Sequence, residues 1–314
     1  MFKVKKTHES GISVEIVEHS KNAYTGKEIV TVNMKYGLIV HGEWLRHRLF
    51  TNNVKSNRAI PAKVLRKEVL ENPYVPVWMG QNQPGMVAEK ECKHKKFALA
   101  VWKFARYPAC FAHWCGEKLG LAKEVCNRLL MPWQWVRQTT TFTDADNLFN
   151  LRLHKDAQKD IQAVVKCLYD ALQESTPIIL KEGEWHTPYV NKEHIGEMTY
   201  WDNDGMQLTL EEALMCSASR CARSSYDKHD GTTCTKHSDI PLYEKLIESK
   251  PAHASPIENQ ATPVNPEKAK KNWKRVKGLT HQRVDGVLCS GNFSEWIQYR
   301  QTLSNHTCWN YSNA

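Results

Sequence analysis

Apolar residues between Asp144 and Leu172 recur with the period of an α-helix, and this pattern constrains the fold more than any other feature of the chain. The stripe consists of Leu148, Leu151, Ala157, Ile161, Val164, Val165, Leu168 and Leu172. Side chains at this spacing share one face of a helix, and an apolar face has to be covered by other elements. The sequence therefore predicts one long helix from near Asp144 past Leu172, with this stripe in the core.

Two segments near the start of the chain alternate apolar and polar residues, which is typical of half-buried strands. They are marked by Ile12, Val14 and Ile16, and then by Val30, Val32, Met34 and Tyr36. Residues 22–26 lie between them and contain asparagine and glycine, which favour a turn. The pattern predicts a β-hairpin.

Further elements follow from shorter patterns. Helices are predicted over residues 41–50, 62–70, 96–107, 111–130, 209–223 and 241–249. Thr209 and Glu212 form a capping-box pattern, so the helix that follows them has the clearest start. We expect polar residues 51–58 and the basic segment 264–283 to form loops. Residues 183–206 lack any period and indicate a boundary between two halves.

The composition is that of a folded protein with anionic partners. Of 314 residues, 41% are hydrophobic and 25% are charged, which is enough to bury a core. The formal net charge of +9 favours nucleic acid, nucleotides or a phosphorylated cofactor as partners, without choosing among them. A mean hydropathy of −0.58 and the lack of a long apolar run predict no membrane span. Ten cysteines are too few for a disulfide scaffold, and the first residues do not resemble a signal peptide, so we expect a cytoplasmic protein with reduced thiols.

The densest cationic feature is the tripeptide Arg46-His47-Arg48, followed by Asn53, Ser56 and Arg58 in a polar segment. Planar guanidinium groups beside serine and asparagine suit a phosphate or diphosphate group. A solvated, basic helix end is the alternative interpretation of the same residues.

The spacing of these residues resembles a known family. Seven residues separate Arg48 from Ser56, which gives an RHR-x7-S motif, and at this point the chain is similar to the flavin-dependent thymidylate synthases. Arg128 lies four residues before Pro132, as in the family's R-x-x-L-P segment. Residues 147–152, with Ala157 and Gln158 after them, resemble the family's N-x-x-N-L-R helix.

Other motifs of this family are present in a displaced order. Residues 222–227 and 253–259 resemble its A-R-x-S-F and H-E-T-P-F-E-H segments, but they follow the RHR motif instead of preceding it. Glu43-Trp44 and Glu295-Trp296 begin two similar segments, and the second contains a degenerate RHR in residues 298–300. The chain thus resembles a long, phage-type variant with two partial copies, in residues 1–195 and 196–314. The fold implied is α/β (α+β), with a curved, mainly antiparallel sheet flanked by helices.

The resemblance implies a reaction and its co-substrates. Members of the family methylate C5 of dUMP to give dTMP, with methylenetetrahydrofolate as carbon donor and FAD, reduced by NADPH, as hydride donor. They use no cysteine nucleophile, so positioning and electrostatics are left to the protein. The resemblance also implies a homo-oligomer, a dimer or a tetramer, in a bacterial or phage-infected host cytosol.

The resemblance assigns roles to individual residues. Arg46 contacts nucleotide and flavin, and His47 and Arg48 hold FAD. Ser56 and Arg58 bind the nucleotide phosphate, and Arg128 and Arg152 act at the pyrimidine, where an arginine can stabilise negative charge on the ring. The remaining flavin contacts are Asn53, Asn147, Ser225, His253 and Glu258.

The chain departs from the family pattern near the substrate. Val54 stands where the family usually has Glu, and Glu43 stands where it has Gln. Asn259 replaces the last His of the displaced segment. A carboxylate at Glu43 can accept from an exocyclic amine, so dCMP as substrate and transfer of a hydroxymethyl group both remain open.

Two alternatives of other classes remain open. Cys110 and Cys115, and likewise Cys216 and Cys221, are each separated by four residues, but no C-x2-C pair occurs. Packing cysteines are therefore favoured over a zinc site, with no metal expected, and His113 is interpreted as a core residue. The lysines around Trp273 would suit single-stranded nucleic acid, although a solvated face is the more common meaning of such a run.

Overall fold

The computed structural model describes residues 4–56, 58–84, 88–223, 233–247, 249, 252–269 and 271–308. The first part of the chain forms β1 (Lys5–Thr7), β2 (Ser13–Asn22), β3 (Glu28–Gly37), α1 (His41–Trp44), β4 (Thr51–Val54), α2 (Ala62–Glu71), α3 (Lys95–Lys118), α4 (Lys123–Cys126), a 3-10 helix (Asn127–Trp133), β5 (Trp135–Phe142), α5 (Asp146–Arg152), α6 (Lys159–Glu174) and β6 (Ile178–Leu180). Within the described ranges, no helix combines the length and apolar character needed to cross a membrane.

A six-stranded sheet organises this part of the molecule. Its order is β1-β2-β3-β5-β4 with antiparallel neighbours, and β6 adds to β2 in parallel. The predicted hairpin is confirmed as β2 and β3. The predicted loop at 51–58 is wrong for its first residues, because Thr51–Val54 pairs with β5. The mixed, mainly antiparallel sheet with helices agrees with the expected fold class.

The predicted long helix is divided in two. Residues 153–158 separate α5 from α6, and the side chain of Gln158 caps α6 by accepting from the Ile161 amide at 2.9 Å. Because Gln158 has extended backbone angles, the chain must restart its helix there. The stripe on α6 is buried as predicted, whereas Leu151 on α5 is 49% exposed.

The main core lies between one face of the sheet and α6. Side chains of β2, β3 and β5 meet the buried stripe of that helix. The central members are Val14, Ile16, Val30, Val32, Met34, Tyr36, Val136, Phe142, Ile161, Val164, Val165 and Leu168. Burial of this many apolar side chains, at about 1.5–3 kcal/mol each, is the main force that holds α6 on the sheet.

The opposite face of the sheet is buried but polar. We call it the hydroxyl face; it consists of Thr31, Asn33, Thr51, Asn53, Thr139 and Thr141. A register shift between Ile16 and Glu18 adds Glu18 and Ser20 to this face, since a bulge reverses the direction in which later side chains point. Polar groups that are buried need partners, and the later part of the chain supplies them for every member of the hydroxyl face except Asn53.

The first helical layer beside the sheet consists of α2, α3 and the 3-10 helix. Helix α2 agrees with its prediction. The predicted helices at 96–107 and 111–130 are in fact one helix, α3, which runs through Pro108 and ends at Lys118. Between Lys118 and β5 the chain is helical only in two short segments, α4 and the 3-10 helix Asn127–Trp133. His113 on α3 is a satisfied core residue, as predicted, with ring contacts to Asn127 and Arg66 at 3.0 Å each.

The later part of the chain forms smaller sheets and helices. They are β7 (Asn191–Ile195), β8 (Glu197–Trp201), β9 (Gln207–Leu208), α7 (Leu210–Arg223), α8 (Lys236–Ile247), a 3-10 helix (Ser255–Glu258), β10 (Ala261–Pro263), α9 (Pro266–Ala269), a 3-10 helix (Trp273–Arg275), β11 (His281–Gln282), β12 (Leu288–Ser290), β13 (Phe293–Ser294), β14 (Trp296–Gln298) and a 3-10 helix (Tyr299–Thr302).

The start of α7 is capped as predicted. The Thr209 amide donates to the Glu212 carboxylate at 2.9 Å, and the Glu212 amide donates to the Thr209 hydroxyl at 3.2 Å. In the basic segment 264–283, part of the expected loop is ordered: Trp273, Val276 and other apolar side chains pack beside Leu288. The described cations of this segment are exposed, and binding to nucleic acid stays a prediction.

The two similar segments have different structures. Trp44 lies at the end of helix α1, whereas Trp296 lies in strand β14, after Glu295 with a φ of 62°. Both indoles are fully buried, which explains the shared tryptophan without a shared fold. The proposed boundary at 195–196 falls in the turn between β7 and β8, and Leu180 packs with Phe293 and Trp296 in one cluster. A two-copy architecture is not confirmed.

Candidate functional site

The RHR segment is anchored by a buried tryptophan. Trp44 packs in the main core beside Phe50 and Tyr36, and its indole donates to Asn52 Oδ1 at 2.9 Å. Only His41–Trp44 of the expected helix 41–50 is helical, and the chain then turns into β4. Because Trp44 fixes this turn, Glu43 and His47 are held beside it at the surface.

Arg152 reaches this turn from the end of α5. Its Nε donates to His47 Nε2 at 3.2 Å, and a terminal nitrogen of its guanidinium lies 3.3 Å from Glu43 Oε2. Since a guanidinium only donates, His47 Nε2 accepts and the ring proton is on Nδ1. Arg152 lies more than a hundred positions after Glu43 and His47 in the sequence, yet these three residues, all predicted for the site, form one cluster.

The ring of His47 is uncharged near neutral pH. Burial, with the nearby charge of Arg152, lowers its pKa below the ordinary value of 6.5. A neutral imidazole can keep accepting from Arg152, whereas an imidazolium could not. The cluster therefore holds Arg152 in one orientation, with Glu43 as its counter-charge and a neutral ring as its second acceptor.

Two further cations flank His47 in the sequence. Arg46 and Arg48 are exposed, and their guanidinium groups form no hydrogen bond or ion pair with any residue whose position the structure gives. Asn53 is 6% exposed, and its Nδ2 has no partner among the described groups. Buried donors are normally satisfied, so this amide is suited to a ligand acceptor. Asn147 is exposed in the first turn of α5.

The predicted phosphate contacts lie at the other end of β4. Ser56 and Arg58 follow this strand, are exposed, and contact each other through the Arg58 amide and the Ser56 hydroxyl at 3.3 Å. Arg128 is also exposed, and its neighbour Asn127 donates to the Ile60 carbonyl at 3.1 Å. This bond ties the segments of Arg58 and Arg128 together. Strand β4 is about 10 Å long, so these residues and the Arg152 cluster are separate groups.

The displaced family segment lies against β4. The 3-10 helix Ser255–Glu258 contacts this strand, and Thr141 of the hydroxyl face donates to Asn259 Oδ1 at 2.9 Å. Glu258 forms a short ion pair with Arg300, while burial raises its pKa against the opposing effect of that arginine. His253 is exposed. Ser225 lies outside the described residues.

Sequence reasoning missed a residue that joins these segments. Asn292 donates to the Leu49 carbonyl at 3.0 Å and to the Thr51 hydroxyl at 3.1 Å, and its own Oδ1 accepts from Gln298 at 3.0 Å. Gln298 also donates to the Glu258 carbonyl at 2.9 Å. No motif marks Asn292, although the degenerate RHR in residues 298–300 points to its neighbours.

Three of the four cysteines considered for a zinc site, Cys110, Cys216 and Cys221, are buried, and Cys115 is half-buried. Burial raises the pKa of Cys110, and it raises the pKa of Cys216 to about 12. Thiols with raised pKa values are poor nucleophiles and poor metal ligands. Within the described ranges, no group of three or more His, Cys, Asp or Glu side chains is arranged to hold a metal ion. His229, which lies close to Cys234 and His237 in the sequence and could form a metal-binding group with them, is outside these ranges.

Comparison with known proteins gives structural neighbours only. No protein-family model matches the chain, and no curated protein sequence does. The structure is similar to the UMP/dUMP methylase PolB from Streptomyces cacaoi bound with 5-Br UMP, at 15% identity and a TM-score of 0.43, over 55% of this chain and 91% of that one. The same methylase bound with 5-Br dUMP gives 14% identity and a TM-score of 0.44, over 55% and 92%.

Proposed function

We propose that this chain is a flavin-dependent thymidylate synthase, which transfers a one-carbon unit from methylenetetrahydrofolate to C5 of dUMP, with NADPH as the source of reducing equivalents. The observation that carries the proposal is the contact of Arg152 with His47 and Glu43. His47 belongs to the RHR motif, Glu43 precedes that motif by three residues, and Arg152 ends the N-x-x-N-L-R motif, which the sequence places about a hundred residues later. Their meeting supports the interpretation of both motifs as parts of one site.

Arg152 has the features of a group that stabilises charge on a pyrimidine. Its side chain is 17% exposed, so it is reachable but partly removed from water. Two fixed acceptors set its direction before a substrate arrives, and such preorganisation makes electrostatic stabilisation effective. When C5 of the pyrimidine is made nucleophilic, the ring becomes an enolate with negative charge on a carbonyl oxygen, and this guanidinium would hold that charge until the new bond at C5 forms. Arg128, in the other group, is an exposed second cation for the nucleotide.

The residues beside the Arg152 cluster fit a cofactor with a diphosphate. Arg46 and Arg48 are exposed cations without protein partners in the described ranges, and the buried Nδ2 of Asn53 is an unused donor. Arginine and amide groups are suitable partners for phosphate and carbonyl oxygens. When bound, FAD would supply the hydride. His47, Arg48 and Asn53 would hold it, with Asn147, His253 and Glu258 as further candidate contacts.

A second substrate, dCMP, is favoured by one specific observation. Glu43 is 28% exposed while it contacts Arg152, so one edge of its carboxylate is open to a ligand. A carboxylate accepts from an exocyclic amine and repels a carbonyl oxygen, and cytosine carries the amine where uracil carries the oxygen. Glu43 is therefore the residue expected to decide between the two pyrimidines.

The test is mass spectrometry of products, with dUMP and dCMP supplied in parallel to the purified protein, methylenetetrahydrofolate and NADPH. We expect copurified flavin and a product heavier by one CH2, because a methyl group replaces the hydrogen on C5. Product from dCMP alone would favour the second candidate, and a hydroxymethylated product would change the transferred group. A protein without flavin that remains inactive after addition of FAD would overturn the proposal.

Single substitutions test whether individual residues contribute to turnover. Arg152→Ala should lower kcat by about 100- to 1,000-fold, the usual effect of removing one preorganised donor. Arg283→Ala is the matched control, because this arginine lies at the surface and pairs with the nearby Asp285, and its removal should leave turnover unchanged. Glu43→Gln should shift the ratio of dUMP to dCMP turnover toward dUMP. Equal kcat values for Arg152→Ala and the control would contradict the role given to Arg152.

A further inference from the structure

Helix α3 presents a broad apolar face to solvent. Its inward side packs on α2 and on the 3-10 helix Asn127–Trp133, through Trp102, Ala105, Ala109 and Cys110. Its outward side carries large apolar residues with high exposure: Phe97 73%, Val101 52%, Phe104 67%, Tyr107 50%, Phe111 65% and Trp114 43%. Single exposed apolar residues are common, but a contiguous row on a fixed helix marks an interaction surface.

This face is nearly free of charge. Among the exposed positions from Phe97 to Trp114, only Lys103 is charged. Arg106 is half-buried and lies along the helix, with its guanidinium 4.5 Å from the Tyr107 ring centre and a hydrogen bond of 2.9 Å to the Lys103 carbonyl. Aromatic residues with few charges are typical of the centre of a protein interface.

The row is symmetric about Phe104. Val101 and Tyr107 each lie three residues from it, and Phe97 and Phe111 each lie seven residues from it. If two copies of α3 pack antiparallel across a two-fold axis at Phe104, Phe97 of one copy meets Phe111 of the other, and Val101 meets Tyr107. A two-fold interface needs this kind of self-complementary surface. The paired row would be about 21 Å long.

The area is sufficient for a dimer. With about 150–250 Å² for each aromatic side chain, the exposed fractions amount to about 600 Å² on each copy. Two copies would bury about 1,200 Å², which is at the lower limit for a stable interface. Leu119, which is 87% exposed at the end of the helix, adds to this area.

We propose that the outward face of α3 is a self-association surface, through which two copies of this chain pair antiparallel about Phe104. The symmetry of the row about Phe104 favours a second copy over a lipid surface as its occupant, because binding to a lipid surface needs no such symmetry. The proposal does not depend on the proposed enzymatic activity.

The first test measures the molar mass of the purified full-length chain by light scattering at about 10 μM, a concentration at which interfaces of this size are populated. We expect a mass of two or more chains. Phe104→Glu places two carboxylates face to face at the axis and should reduce the mass by half or to that of one chain. Val64→Glu is the matched control, because Val64 is 54% exposed on α2, and it should leave the mass unchanged.

A second test uses chemical crosslinking to examine the symmetry. In a Cys308→Ser background, Phe104→Cys should form a disulfide-linked dimer under mild oxidation, since residue 104 faces itself. Val101→Cys alone should not crosslink, whereas a mixture of Val101→Cys and Tyr107→Cys chains should. A natural chain that has the mass of one copy, an unchanged mass for Phe104→Glu, or a monomer that binds anionic phosphatidylserine vesicles through this face would each overturn the proposal.

Discussion

The buried ion pair between Glu18 and Lys192 should make the stability of the fold depend on pH in acid. The bulge in β2 turns Glu18 toward the later part of the chain, where it pairs with Lys192 and contacts His186 Nδ1 at 3.1 Å. The Glu18 and Lys192 side chains are 6% and 3% exposed. Burial alone would raise the pKa of Glu18, but the His186 ring and the Lys192 ammonium outweigh it and lower the pKa from an ordinary 4.5 to about 2.

The difference between the pKa of Glu18 in the folded chain and its ordinary value determines how the free energy of unfolding changes with pH. Above pH 4.5 the carboxylate is charged in both the folded and unfolded chains, and its stabilising effect is fully present. As the pH falls toward 2, the unfolded chain takes up the proton first, and the free energy of unfolding decreases. The full effect is about 3 kcal/mol. Burial also lowers the pKa of His186, and this acts in the same direction from a higher pH.

The assay is urea unfolding, followed by circular dichroism, of the natural chain and of Glu18→Gln across this pH range. At neutral pH, Glu18→Gln leaves the Lys192 ammonium buried without an opposite charge, which should cost about 3–5 kcal/mol. The loss should shrink as the pH falls, because the natural chain then loses the same charge. Glu18→Gln with Lys192→Met is the control, since removal of both charges should restore most of the stability. A loss that is independent of pH would refute the reasoning.

Three further predictions concern single positions. Gly37→Ala should destabilise by about 1–3 kcal/mol, because a Cβ there would lie 2.3 Å from the Tyr74 ring, while Gly42→Ala, with nothing within 4 Å, should not; thermal unfolding distinguishes them. Thr209→Ala removes a helix cap and should cost about 1 kcal/mol in the same assay, and an unchanged melting temperature would contradict the capping role. The ring of His47 should titrate by NMR below the ordinary 6.5, with the resonance identified by its loss in His47→Gln; a midpoint above 6.5 would contradict its contact with a guanidinium.

Sequence patterns correctly predicted those helices and strands whose formation depends on their own local residues. The hairpin of β2 and β3 follows from alternation and a turn, and α7 from a capping box that is present as expected. The break between α5 and α6 was not predicted. The apolar residues keep their helical spacing from one helix to the next, although residues 153–158 between them are not helical. Strand β4 was missed because its polar residues form a strand only through pairing with β5.

The candidate site residues come from the family resemblance, and their roles stay a prediction. Glu43, His47 and Arg152 were named from it, and the structure brings these three side chains into contact. Ser56, Arg58 and Arg128 lie in a separate group, since β4 holds them at its other end. Asn292 could not be found from sequence, because its role depends on where the chain returns after more than two hundred residues.

The hydroxyl face restricts how the later part of the chain can lie on the sheet. Apolar surfaces can slide over each other, because contact between hydrocarbon groups has no preferred direction. Hydrogen bonds do have a preferred direction. The Thr31 hydroxyl lies 2.8 Å from His186 Nε2, and the Thr139 hydroxyl lies 2.6 Å from the Tyr189 hydroxyl. A displacement of one residue along a strand, about 3.3 Å, would break these bonds and leave buried hydroxyl groups unsatisfied. The two parts of the chain therefore fit together in a single alignment, and the segments of the candidate site that lie on both sides take their relative positions from it.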